Sequence, residues 1–236
     1  INVTDVNEPP SDLNIVPSIL DENSPSGTVF GNLIPVDEDE NEDFSYTFVK
    51  GVGDEDNASF TLNKETGEIS NRTDLNYEQK NTFSVRVMVT DSGGLQYEKP
   101  VSISLNDINE APHLVEIDNN EIREGKKKNS LVGQLLAKDE DFSDTHSYSL
   151  IDGEGSTHNQ LFKVKNNELR TAVIIDGESI PIASIRVRAT DDGGLFYDQI
   201  LSVVVADAPD PPTDIFLSGN SLKMFERTGT EIGQLS

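Results

Sequence analysis

The chain has 236 residues and carries 43 Asp and Glu against 18 Lys and Arg, a formal net charge of −25 at pH 7, which argues against a nucleic-acid partner because a phosphate backbone is itself a polyanion. Only 34% of residues are apolar and 6% aromatic, with no Trp, which is lean for one large core but sufficient for two small all-β domains that bury one face of each sheet. The absence of Cys removes disulfides, thiolate metal sites and a cysteine nucleophile, and the longest apolar runs, such as 201–206, are far too short to span a bilayer.

The chain opens on Ile rather than Met, as an internal fragment would. Residues 1–9 read as the linker tail of a preceding repeat, since Asp5-Val6-Asn7-Glu8-Pro9-Pro10 is acidic and its prolines favour extended backbone. A first repeat is expected over 10–109, with strands near 12–17, 27–36 and 45–49. Asn63-Lys64-Glu65-Thr66-Gly67, set between Phe60 to Leu62 and Ile69, reads as a hairpin turn. Phe83, Val85, Val87 and Val89 then alternate with Ser84, Arg86, Met88 and Thr90, and Val101, Ile103 and Leu105 with Ser102, Ser104 and Asn106. That period of two marks half-buried strands, and Gly93-Gly94 breaks the chain between them. The linker Asp107-Ile108-Asn109-Glu110-Ala111-Pro112 leads into a second repeat over 110–210, in which Ile185, Val187 and Ala189 and then Leu201, Val203 and Val205 repeat the pattern. After Asp207-Ala208-Pro209-Asp210-Pro211-Pro212, residues 211–236 read as the truncated start of a third repeat.

Displacing the sequence by 100 positions places Glu78 on Glu178, Arg86 on Arg186, Thr90 and Asp91 on Thr190 and Asp191, and Asp107 on Asp207. A displacement of 102 places Asn7 and Glu8 on Asn109 and Glu110, Glu22 on Glu124, and Asp37-Glu38-Asp39 on Asp139-Glu140-Asp141; Glu226 continues the series. A unit of this size closes its own core, unlike a solenoid repeat. With about seven short strands per unit and no helical periodicity, the expected fold is all-β: tandem seven-stranded Greek-key, immunoglobulin-like β-sandwiches.

The recurring acids fall at strand ends and in linkers, where carboxylates are free to converge on a cation. Hard oxygen ligands without Cys or His select Ca²⁺ or Mg²⁺, and donors drawn from several loops suit the larger, geometrically tolerant Ca²⁺. The EF-hand spacing is absent. Taken together, Asp107 to Pro112, Glu22, Leu75-Asn76-Tyr77-Glu78, Asp139-Glu140-Asp141 and Thr190-Asp191-Asp192-Gly193-Gly194 resemble the calcium motifs of the cadherin repeat family over essentially the whole chain.

That resemblance implies sandwiches of cadherin type joined by calcium-binding linkers. The complete junction would use Glu22, Asn76 and Glu78 from the first repeat, Asp107, Asn109 and Glu110 from the linker, and Asp139, Asp141 and Asp191 from the second, with backbone carbonyls of Ile108 and Ala111. Asn76 stands where the family usually has Asp, and Pro209 replaces the linker Asn, so the second junction, built on Glu124, Asp176, Glu178, Asp207 and Asp210, is expected to be partly filled. At the opposite end Asn7, Asp37, Asp39 and Asp91 are expected to hold a single ion. The implied function is a calcium-rigidified stalk of an extracellular, cell-surface adhesion protein. Its neighbours would be further repeats of the same parent chain, and its ligand a homophilic or heterophilic protein or a glycan, with membrane attachment only through parts of the parent outside this chain.

The alternative is a calcium-dependent carbohydrate-binding or accessory module, for which the lack of Trp leaves little aromatic platform; Tyr97 and Tyr197 are expected to pack. Catalysis is not expected, because acids that recur in every unit form a ligand pattern rather than a cleft with one raised pKa. Lys126-Lys127-Lys128 reads as a solvated loop. The Asn-x-Ser/Thr sequons at Asn2, Asn57 and Asn71 are about what chance supplies, and the low aromatic content and Asp-Val-Asn-Glu-Pro-Pro linker tilt the parent toward a large bacterial adhesin.

Overall fold

The computed structural model describes residues 6–40 and 42–209. The expected linker tail before residue 6, Asp210 and the expected third repeat (211–236) lie outside the described residues. The chain divides into two compact units, Ile1–Glu110 with Glu140–Ser143, and Ala111–Asp139 with Asp144–Ser236.

In the first unit the strands are β1 (Asp12–Val16), β2 (Ile19–Asp21), β3 (Val29–Val36), β4 (Ser45–Phe48), β5 (Phe60–Leu62), β6 (Glu68–Asn71), β7 (Thr82–Thr90) and β8 (Gln96–Asn106). They form two sheets, β1-β3-β6-β5 and β2-β8-β7-β4. All pairings are antiparallel except β2 with β8, which run parallel with Ile19 opposite Ser104 and Asp21 opposite Asn106. The second unit repeats the plan with β9 (Leu114–Ile117), β10 (Glu121–Arg123), β11 (Leu131–Lys138), β12 (Ser147–Leu150), β13 (Phe162–Lys165), β14 (Glu168–Thr171), β15 (Ile182–Thr190) and β16 (Phe196–Ala206).

The strand expected over 12–17 is β1, which ends at Val16, and a short further strand, β2, follows it in the other sheet. Pro17 has no N–H to continue the ladder with β3, and the chain crosses to β8 instead. In the second unit Asp118 and Asn119 make the same crossing with side chains. The Asp118 carboxylate accepts from the Gln134 amide at 2.6 Å, and Asn119 Nδ2 donates to the carbonyls of Val132 (2.6 Å) and Glu121 (2.8 Å). Each crossing passes over a glycine beside a bulge in the ladder. A Cβ at Gly31 would lie 2.5 Å from the Pro17 carbonyl oxygen, and one at Gly133 would lie 2.2 Å from that of Asn119. No side chain fits there.

Each unit has its own core. Leu13, Leu33, Phe60 and Ile69 from one sheet meet Val85, Val87, Val89 and Ile103 from the other, and each such side chain contributes about 1.5–3 kcal/mol on burial. Phe60 packs edge-on to Phe83 with centroids 5.7 Å apart. Val115, Leu135, Phe162 and Leu169 meet Ala183, Ile185, Val187 and Val203 in the second unit. The alternation read from the sequence is the observed one: Phe83, Val85, Val87 and Val89 are buried, and their neighbours along β7 are half-exposed or exposed. Tyr97 packs against the first core, as expected. Tyr197 does not follow it and remains 37% exposed.

Candidate metal centre

The ends of β2 and β8 and the loop before β7 bring the first set of acids together. Glu22 follows β2 and is only 3% exposed. Both of its carboxylate oxygens are held by backbone, Oε2 by the Tyr77 amide at 2.7 Å and Oε1 by the Ile108 amide at 2.9 Å. Glu22, Glu78 and Asp107 each present an oxygen within 4.8 Å of the others, and so do Glu78, Glu110 and Asp141. The Asp141 carboxylate accepts from the Glu110 amide at 2.8 Å. Asn76 Oδ1 accepts from the Gln79 amide at 2.8 Å and its Nδ2 donates to Glu140 at 2.6 Å, while Asn23 donates to Glu110 Oε1. Asn109 Nδ2 donates to the Glu110 carbonyl at 3.1 Å. For Ile108 the bond to Glu22 uses the N–H, and its carbonyl takes no part in it.

This concentration of negative charge is held against its own repulsion. Burial pushes the Glu110 carboxyl up to about 7, helped by Glu22, Asp141, Glu78 and Glu140. Burial, opposed by a backbone hydrogen bond and reinforced by Glu22 and Asp107, raises Glu78. Burial and then Asp141 and Glu22 raise Asp107. The Oε2 atoms of Glu78 and Glu110 are buried and accept no hydrogen bond. A buried carboxylate oxygen without a donor costs several kcal/mol unless it is protonated or faces a cation, so these residues fit a hard divalent ion.

At the other end of the first unit, Asp91 is 6% exposed. Its Oδ1 closes the turn to Leu95 by accepting from that amide at 2.8 Å, and Asn7 Nδ2 donates to Oδ2 at 3.1 Å. Asp39 accepts from the Glu8 amide at 2.9 Å, and Asp37 from the Asp39 amide at 3.2 Å. Asp37 Oδ2 is another buried oxygen without a hydrogen bond. Asn7, Asp37, Asp39 and Asp91 are thus gathered here, and Gly93 accommodates Asn7, whose Oδ1 would lie 2.4 Å from a Cβ at that position.

In the second unit Glu124 repeats Glu22. It accepts from the Gly177 amide at 2.6 Å and the Ala208 amide at 2.5 Å, which hold its carboxyl below the usual range. Glu124, Asp176 and Glu178 have oxygens within 4.8 Å of one another. A backbone hydrogen bond holds Glu178 down, but bonds shared with Asp176 and Glu124 outweigh it and leave the carboxyl raised to about 7. Asp207 also bonds to Glu124.

Asp139 and Asp191 of the same unit converge with Asp144, and His146 Nε2 lies 2.8 Å from Asp139 Oδ2. The sequence reads His146 as one of three scattered histidines and places neither it nor Asp144 at a site. Asp144 was available as a signal, because the displacement of 102 that pairs Glu22 with Glu124 also pairs Glu42 with Asp144. Of the residues expected at one complete junction, Glu22, Asn76, Glu78, Asp107, Ile108, Asn109, Glu110 and Asp141 belong to the first unit; Ala111, Asp139 and Asp191 belong to the second.

Residues 18–106 match the family model described as the cadherin domain. Protocadherin gamma-A9 of Pan troglodytes is 30% identical over 224 residues, covering 89% of this chain and 24% of that protein. Cadherin-4 of Caenorhabditis elegans is 27% identical over 198 residues, covering 81% of this chain and 4% of its own length. The chain therefore spans a quarter or less of these curated relatives. The solved structure of human protocadherin-24 EC1-2 aligns with a TM-score of 0.63 at 23% identity, covering 84% of this chain and 99% of that one, a likeness of fold.

Proposed function

Since this chain belongs to the cadherin family, we propose that it comprises two calcium-binding repeats, over 10–109 and 110–210, of an extracellular cell-surface adhesion protein, and that bound Ca²⁺ stiffens the linker between them. The relatives named above are animal proteins. One observation carries the calcium reading: the buried, hydrogen-bond-free oxygens of Glu78 and Glu110 within a cluster whose carboxyls are driven toward protonation.

Glu22, Glu78, Asp107, Glu110 and Asp141 would hold ions at the first set, assisted by Asn76 and Asn109 and by the carbonyls of Ile108 and Ala111, with Asp139 and Asp191 contributing from the second unit's acids. Asn7, Asp37, Asp39 and Asp91 would form a lesser site, and Glu124, Asp176, Glu178 and Asp207 another, to which Asp210 would add. Ca²⁺ supplies the positive charge that these loops lack. The residues supply rigidity: Glu22 and Glu124 are locked by two amides each, so little ordering is left to be done when an ion arrives.

Calorimetric titration of the 236-residue chain with Ca²⁺, together with small-angle scattering before and after chelation, tests this reading. Saturable binding, lowered at least tenfold by Glu78→Gln or Glu110→Gln, and a broader distribution of lengths in chelator are expected. Absence of binding heat with scattering unaltered by chelator would refute it.

Recognition of a neutral sugar on an aromatic platform is the less favoured reading, since Tyr97 is committed to the core and the exposed Phe196 beside Tyr197 carries the Arg188 guanidinium over its ring. A paired-carboxylate hydrolase needs a substrate cleft, and the raised carboxyls here sit in clusters repeated from unit to unit.

A further inference from the structure

The turn between β10 and β11 is the same turn, residue for residue, as that between β2 and β3. Asn23 and Gly27 have φ of 55° and 88° in the first, and Gly125 and Asn129 have φ of 65° and 76° in the second. The Ser130 hydroxyl donates to the Lys127 carbonyl at 2.7 Å just as that of Thr28 donates to Pro25 at 2.7 Å. The flanking amides are tied down in both, Gly27 to the Asn71 carbonyl and Asn129 to the Thr171 carbonyl, each at 2.8 Å.

What differs is the crown. Ser24-Pro25-Ser26 in the first unit becomes Lys126-Lys127-Lys128 in the second, and all three lysines are exposed. The second turn is secured further, since the Lys127 carbonyl also accepts from Thr171 Oγ1 at 3.1 Å and the Asn129 carbonyl from Arg170 Nη1 at 2.8 Å. The carboxylate immediately before the turn, Glu124, is engaged by the amides of Gly177 and Ala208. Among the described residues no ion pair within 4.0 Å involves any of the three lysines. The fold therefore holds three successive cationic side chains on a preorganised backbone, within a chain that is otherwise strongly acidic.

We propose that this lysine-crowned turn is a docking site for an extended sulfated polysaccharide. Three consecutive residues reach at most about 7 Å along the chain from first to last, so the positive charge is dense. That suits a ligand that is itself a line of closely spaced anions. Lys ammoniums are point charges that pair with sulfate from any direction, whereas planar carboxylates select the forked guanidinium of Arg. Because the turn's backbone is already fixed, binding orders only side chains. The proposal rests on the turn's own three lysines and not on the calcium reading, although Glu124 at its start belongs to the second unit's acidic cluster.

The sister turn supplies the test. The triple variant Lys126→Ser, Lys127→Pro, Lys128→Ser installs a crown that this backbone already carries elsewhere in the chain, and an unchanged melting curve checks its folding. The reciprocal variant Ser24→Lys, Pro25→Lys, Ser26→Lys adds a second crown. Binding is measured in chelator at about 0.1 M salt against a size-defined sulfated heparin oligosaccharide, the same oligosaccharide desulfated, and poly-glutamate.

The parent is expected to bind the sulfated chain and weaken steeply with added salt. The first variant loses at least tenfold, and the reciprocal variant gains. Equal binding by parent and first variant overturns the proposal, as does equal binding of the desulfated chain. Preference for poly-glutamate also overturns it and assigns the turn to an acidic protein segment instead.

Discussion

The carboxylate of Glu22 accepts the backbone amide of Ile108 at 2.9 Å across 86 positions of sequence, so the end of β2 and the start of the following linker share one hydrogen-bonded side chain. Its second oxygen binds the Tyr77 amide, and Glu124 repeats the pair with Gly177 and Ala208. Substitution Glu22→Gln keeps one acceptor but turns an N–H₂ toward an amide donor. Such a mismatch at a buried site costs about 1–3 kcal/mol, and urea unfolding in chelator is expected to show a loss of that size. Glu124→Gln should produce a corresponding loss in the second unit.

The raised carboxyls fix the sign of the pH response. Glu110 titrates at about 7 against an ordinary value of 4.5, and Glu178 likewise. Between those values the folded chain binds more protons than the unfolded one, so this contribution to stability is fully present below about 4.5 and is lost as pH rises through 7. Metal-free protein should melt higher at pH 5.5 than at pH 8. With Ca²⁺ at saturation that gain should disappear or reverse, and calorimetry should find calcium affinity weaker at pH 6 than at pH 8, with proton release on binding. A metal-free melting temperature that climbs with pH over this range contradicts the argument.

Asn76 donates its amide to Glu140 at 2.6 Å, a contact that Asp in its place would turn into a like-charge pair. Asn76→Asp is therefore expected to lower metal-free stability by about 1 kcal/mol and to tighten calcium binding severalfold, because it adds a charged ligand. Paired melting and titration of the variant separate the two effects.

Although Asn71 lies in an Asn-x-Thr sequon, it is 1% exposed. Its Oδ1 accepts from the Thr28 amide, and its Nδ2 donates to the carbonyls of Ser24 and Thr73. Attachment of a glycan removes one of those donors and needs space the site does not have. Material from a glycosylating host should carry no sugar at Asn71 by peptide mass spectrometry. Asn71→Ala should cost about 3 kcal/mol, and Asn71→Thr less, since Thr171 serves the same turn in the second unit.

Much of this molecule was legible because its periodicities are physical ones. Val85, Val87 and Val89 alternate since one face of β7 is dry, and the acids recur since both units present them from the same strand ends and loops. The crossing from β1 to β2 was not legible. The strand expected over 12–17 matches β1, but the short β2 beyond Pro17 and the close approach of Gly31 to the Pro17 carbonyl depend on strands that arrive from elsewhere in the chain. Asp144 and His146 escaped notice for a related reason. They lie in a loop without periodicity, so only the partner at the displaced position, Glu42 for Asp144, marks either as part of a cluster. Tyr197 misled because the repeat preserved the residue without preserving the packing around it.

The parallel pairing of β2 with β8, and of β10 with β16, has a mechanical meaning. Tension that draws the chain before Ile19 and the chain after Asn106 in opposite directions acts along the length of that pair, so its rungs are sheared together and must fail at once instead of being unzipped singly. A module wired in this way resists being pulled by its ends more than its modest core alone would allow.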